Sequence, residues 1–138
     1  MEATTAIAIA RRALQIPEGV PVEAVRVRLL EGPAQAYFLI AFRSTENTTL
    51  ACVSDDSGEL QSSVRSAKDV SALTVPAERA RGLAALGPNA RLELVWKPCR
   101  ASLSMLYPIW EVSEGVRAVY VDQQGVVWKE LEPKRPGG

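Results

Sequence analysis

"YFLIAFRSTENTTLACVSDDSGELQSSV", Tyr37–Val64, and "YPIWEVSEGVRAVYVDQQGVVWKEL", Tyr107–Leu131, are the two stretches on which the fold turns. Each opens on a tyrosine, runs through alternating apolar residues and closes on an Asp-x-x-Gly turn. Alternation with period two marks a strand with one buried face, and Asp with Gly is turn chemistry. Each stretch therefore reads as a set of strands joined by short turns, and short turns join antiparallel neighbours.

Working outward, each set is preceded by a helix and one more strand. Thr4 or Thr5 can cap a helix running to about Ile16, with Ile7, Ala10 and Leu14 at helical spacing and Pro17 and Gly19 to stop it. "VEAVRVRLL" sets Val25, Val27 and Leu29 against Arg26 and Arg28, the pattern of a half-buried strand. In "AYFLIAFRS", Phe38, Ile40 and Phe42 share a face; "STENTT" is a turn, "LACVSD" a strand, "DSGE" a tight turn and "LQSSVRS" a short polar strand. The order restarts after the link "AKDVSAL". Pro76 suits the first turn of a helix whose apolar face is Ala77, Ala80, Leu83 and Ala84, ended by Gly87-Pro88. "ARLELVWK", "MLYPIWEV", "VRAVYVD" and "VVWKEL" follow as strands, and Pro108, lacking an amide hydrogen, belongs at an edge or bulge.

A shift of 70 lays Ala10-Arg11 on Ala80-Arg81, Glu23 on Glu93, Val25 on Val95 and Tyr37 on Tyr107, and Phe38, Ile40 and Phe42 on Pro108, Trp110 and Val112. After "STENTT" the shift becomes 67, with Asp55 and Gly58 on Asp122 and Gly125. The pattern predicts an α+β fold from an internal duplication, with one repeat over residues 1–66 and the other over 74–132, which can pack as one globular domain. Two similar α+β units without common origin are the alternative.

Composition narrows the chemistry. The 138 residues hold sixteen basic and sixteen acidic side chains, and neither half forms a basic field, so nucleic acid is not an expected partner. No apolar run approaches the length of a membrane span. "MEATTAIAIA" has no basic residue ahead of its apolar part, so it does not read as a secretory signal. The chain as written reads as cytoplasmic; removal of a leader would make it extracytoplasmic. With no histidine, Ser-His and Cys-His catalysis and imidazole metal ligation are excluded. No cofactor or metal is expected. Cys52 and Cys99 read as two buried, reduced thiols or, in an oxidising compartment, as one disulfide between the halves.

The remaining clusters have structural readings. Asp55, Asp56 and Glu59 are too few oxygens for a calcium loop and suit a hairpin turn in which Gly58 takes positive φ. Asp122 with Gly125 reads the same way. Glu111 and Glu114 read as solvated charge, and Asn47-Thr48-Thr49, formally a glycosylation sequon, reads as a polar turn. Trp96 and Trp110 read as core, with Trp110 under the second helix near Ala80 and Leu83 or Ala84. Tyr37, Tyr107 and Ile109 are expected on the sheet face away from the helices, where an apolar patch marks a partner, with Glu111 and Arg43 as its polar rim.

"YPIWEV" followed by "AVYVDQQGVV" resembles the core of a PepSY domain, in which an aromatic, "W-E-V"-like strand leads into a "V-D-x-x-G" hairpin after an N-terminal helix. The likeness covers residues 75–131 well and 1–65 weakly; Ala41 stands at the Glu111 position and Ser54 at that of Val121. The resemblance implies two PepSY-like, cystatin-like units, each an antiparallel sheet wrapped on a helix. It also implies a non-catalytic module that restrains or assists a protein or peptide partner such as a peptidase, in a family associated with extracytoplasmic bacterial proteins. The binding residues would then be Tyr37, Tyr107, Ile109, Glu111 and Arg43, with none catalytic. A second reading is a small-molecule-binding protein or a cofactor-independent cyclase or isomerase using a cavity between the repeats. Unpaired sheet edges also allow a homodimer.

Overall fold

The computed structural model describes residues 1–67 and 71–133; of the "AKDVSAL" link, residues 68–70 lie outside them. The chain divides into two units, Met1–Ala72 and Leu73–Gly138.

The first unit contains α1 (Ala3–Ala13), β1 (Val22–Leu29), β2 (Ala36–Arg43), β3 (Asn47–Ser54) and β4 (Leu60–Ala67). Its strands lie side by side in the order β4-β3-β2-β1, each neighbour antiparallel. Ala6 and Ala10 of α1 are buried against Phe38, Ile40 and Phe42 of β2 and Ala51 and Val53 of β3. Small side chains at this contact let the helix backbone approach the sheet closely. Neither Thr4 nor Thr5 caps the helix: it begins at Ala3 behind Glu2, which makes no side-chain cap. It ends at Ala13 rather than Ile16, because Gln15 enters the left-handed region at φ 55°. The expected turn "STENTT" is tighter than its polarity suggests. Ser44 closes on Asn47, and Thr48 and Thr49 already pair with Arg43 and Phe42, so the sequon lies at a strand start.

The second unit contains α2 (Ala77–Ala84), β5 (Arg91–Trp96), β6 (Ile109–Glu114), β7 (Arg117–Val121) and β8 (Val127–Trp128), with strand order β5-β6-β7-β8 and antiparallel neighbours. α2 packs on β6 and β7 and buries Ala80. Pro76 is the residue before the helix rather than part of its first turn, and the helix ends when Ala85 takes φ 54°, two residues ahead of Gly87. The strand expected from Met105 begins only at Ile109.

The ladders share an offset. Glu23 pairs with Ala41 and Ala41 with Leu50; Glu93 pairs with Glu111 and Glu111 with Tyr120. A shift of 70 thus holds through three strands, and the shift of 67 applies only later, at the turn glycines. Gly58 and Gly125 both have positive φ, 70° and 81°. A Cβ on Gly58 would meet Ile9 of α1, and one on Gly125 would meet Arg79 and Leu83 of α2. In each unit the turn glycine therefore lies against the helix of that unit.

Both cysteines are free and buried, each within its own unit. Burial pushes the Cys52 thiol up to about 12. The Tyr37 phenol is also raised, by burial and then by the neighbouring Cys52. Among the described residues no helix is long and apolar enough to cross a membrane.

Trp110 is buried, and its indole N–H donates to the Val75 carbonyl at 2.7 Å, just ahead of α2. Trp110→Ala should lower stability by about 3–5 kcal/mol, the usual cost of deleting a large core aromatic. Chemical denaturation measures it, and an unchanged midpoint would contradict the packing. A second expectation concerns Cys52. Alkylation needs the thiolate, so iodoacetamide at pH 8 should label Cys52 only when denaturant is present. The folded state keeps this proton where the unfolded thiol has lost it. Cys52 therefore lowers stability as pH rises from the ordinary thiol range toward about 12.

Candidate functional site

The long connection from β5 to β6, residues 97–108, is organised by one hydroxyl. Cys99 and Ser102 exchange backbone hydrogen bonds, each N–H to the other's carbonyl at 3.1 Å. The Ser102 hydroxyl accepts the Trp96 indole N–H at 3.1 Å and turns its own single proton toward the carbonyls of Ser104 and Tyr107, at 2.9 and 2.7 Å. Ser104 closes the next turn, accepting the Tyr107 N–H at its carbonyl. Arg100 is anchored to the C-terminal segment: its N–H donates to the Glu132 carbonyl at 2.9 Å, and its guanidinium pairs with the Glu132 carboxylate.

Opposite this connection stands the turn between β7 and β8. Asp122 is buried, and one carboxylate oxygen accepts the N–H groups of Gln124 and Val126 while the other accepts the Trp128 indole N–H, all at 2.9 Å. Three donors on one carboxylate make it a structural group. Gln123, also buried, joins the two sides. Its amide oxygen accepts the Val75 N–H at 2.9 Å, and its amide nitrogen donates to the Pro108 carbonyl at 2.9 Å. Between them lies an open groove of about 610 Å³, lined among others by Thr74, Arg100, Leu103, Ser104, Tyr107 and Gln124. Leu103 is 66% exposed and Tyr107 51% exposed, so the groove carries two large apolar side chains at its lip over a polar floor already hydrogen-bonded within the protein.

The residues expected from the sequence are distributed differently. Tyr37 and Ile109 were expected on an outward face, yet each has 0% exposure. The physical reason is legible in β2, where "AYFLIAF" is an uninterrupted apolar run, the signature of a strand buried on both faces. Tyr107 is exposed, but from the loop ahead of β6 rather than from a sheet face. Glu111 is half-buried between Glu93 and Tyr120 in the ladder. Arg43, at the end of β2, pairs with Glu23, which also accepts the Ala72 N–H at 3.0 Å. Of the five, only Tyr107 lines the groove. Leu103, Ser102 and Gln123 escaped the sequence reading, and the one available signal was Leu103 set between Ser102 and Ser104 in the β5–β6 connection.

The turn residues of the first unit are likewise held by the protein. Asp55 accepts from the Met1 ammonium at 2.8 Å and from Arg26 at 3.0 and 3.2 Å, and Asp56 accepts the Gln35 N–H at 3.0 Å. The Met1 ammonium, then Arg26, hold the Asp55 carboxyl below the usual carboxylate range.

No family model and no curated protein matches the chain. A crystal structure of a "putative lipoprotein" from Clostridium difficile 630 aligns with a TM-score of 0.41 at 10% identity, over 91% of this chain and 89% of that one. A likeness of that degree assigns neither fold nor function to this chain.

Gln123→Ala removes the partners of the Val75 N–H and the Pro108 carbonyl together. Each buried polar group left unpaired costs about 1–3 kcal/mol, so thermal or chemical unfolding should show a loss of at least that size. Tyr107→Ala, at an exposed site, should change stability by less than about 0.5 kcal/mol. Equal losses from the two variants would contradict this description of the groove.

Proposed function

We propose that the chain is a non-catalytic binding module built from two PepSY-like units, and that it takes a protein or peptide partner in the groove of the second unit. The observation that carries this reading is the pairing of exposed Leu103 and Tyr107 with walls in which Ser102, Asp122 and Gln123 are hydrogen-bonded within the protein. An exposed tyrosine is a frequent energetic anchor of a protein interface, and a neighbouring leucine helps exclude water around it. A catalytic site needs a group free to move a proton, and the buried carboxylate beside this groove, Asp122, spends both oxygens on internal donors.

The duplication is supported by the constant offset of 70 across three paired strands. It is supported too by the buried alanines Ala10 and Ala80, and by the placement of Gly58 and Gly125 against their helices. A duplicated unit free to diverge explains why the first repeat carries Ala41 and Leu50 where the second carries Glu111 and Tyr120.

The test is a peptide display library selected on the intact protein. Selected peptides should bind Leu103→Ala or Tyr107→Ala about tenfold more weakly or worse, while binding to an exposed variant of the first unit, Arg12→Ala, stays unchanged. Peptides that bind the double variant Leu103→Ala/Tyr107→Ala undiminished, or turnover of a small substrate by the parent protein, would sink the proposal.

A further inference from the structure

The edge of the first sheet is as informative as the groove of the second unit. β4 is the terminal strand of its sheet, and among the described residues no strand pairs with its outer side. Natural edges are normally blunted by shortness, charge, proline or a covering segment. β8, the terminal strand of the second unit, is only two residues long. β4 spans eight, "LQSSVRSA", with no proline and a single charge, Arg65. It also presents Val64, 36% exposed, on the face opposite α1, where it pairs with Leu50. We infer that β4 is a homodimerisation edge, on which a second copy of this chain adds its own β4 antiparallel across a two-fold axis through Val64.

The chemistry of the edge selects both occupant and register. Residues whose N–H and C=O point outward alternate along a strand, so a symmetric antiparallel pair is centred on a residue rather than between two. Centring on Arg65 opposes two guanidiniums, and like charges directly opposite are destabilising. Centring on Ser63 sets Val64 against a serine and leaves its apolar surface half covered. Centring on Val64 sets the valine on its own copy, Ser62 on Ser66, Ser63 on Arg65 and Gln61 on Ala67. No charge is then opposed by its like, and the one large apolar side chain exposed on the edge is desolvated by itself. That is the self-complementarity an isologous interface requires. Strand pairing alone lies at the small end of stable interfaces, so the dimer should dissociate in the micromolar range.

Sedimentation equilibrium over a wide concentration range tests this. The parent protein should reach a dimer, and Val64→Lys, at an already exposed site, should weaken association by more than about tenfold while leaving the melting temperature of the dilute monomer unchanged. Val64→Cys should cross-link to itself under mild oxidation. Gln61→Cys should not, because its copy lies about 20 Å away in this register. A protein that stays monomeric throughout overturns the inference and leaves the edge to a strand from another protein. A dimer indifferent to Val64→Lys, or cross-linking of Gln61→Cys as fast as that of Val64→Cys, overturns it as well.

Discussion

A buried peptide group must find partners for both its N–H and its C=O, and in the second unit that requirement falls on Val75. Gln123 takes the N–H and Trp110 supplies a donor to the carbonyl. The same Gln123 amide holds the carbonyl of Pro108, whose own nitrogen has no hydrogen to give to a ladder. One side chain thereby fixes the approach to α2, the start of β6 and the turn after β7. Strand β6 can begin only after this point, which is why its first paired residue is Ile109. These bonds tie the two walls of the groove together.

The two units close their cores by different means within one plan. In the first, two alanines bring α1 close to a face of phenylalanine, isoleucine and valine. In the second, the helix is shorter and buries one alanine, and a tryptophan supplies the bulk. Each helix lies against a turn glycine whose positive φ would strain any side chain; a Cβ on Gly58 would also crowd Ile9, whereas one on Gly125 would make ordinary contact with Arg79 and Leu83.

Ser102, Asp122 and Gln123 beside the groove are hydrogen-bonded within the protein, and Leu103 and Tyr107 at its lip are exposed. That division separates scaffold from surface: Ser102, Asp122 and Gln123 hold the walls, while Leu103 and Tyr107 face solvent. The charged turn of the first unit shows the same economy, with Asp55 and Asp56 engaged by ammonium, guanidinium and backbone donors.

Element order, antiparallel hairpins, the shared face of Phe38, Ile40 and Phe42, and the turn glycines were legible in the sequence, because each depends on neighbours within a few residues or on the period of one strand. Exposure was legible only in part. Alternation tells two faces of a strand apart only when one of them is polar; "AYFLIAF" in β2 has no polar face, which marks a strand buried on both sides and leaves neither Tyr37 nor Phe38 outward. Tyr107 and Ile109 look equivalent by spacing; a loop tied to Ser102 and a proline carbonyl captured by Gln123 expose the first and bury the second. Those bonds join positions 5 and 15 residues apart, and a glutamine in a turn gives no sign in the sequence of which distant carbonyl it will hold. The strand ladder could be read from the chain, but the groove arose only when tertiary contacts decided which aromatic was left outside.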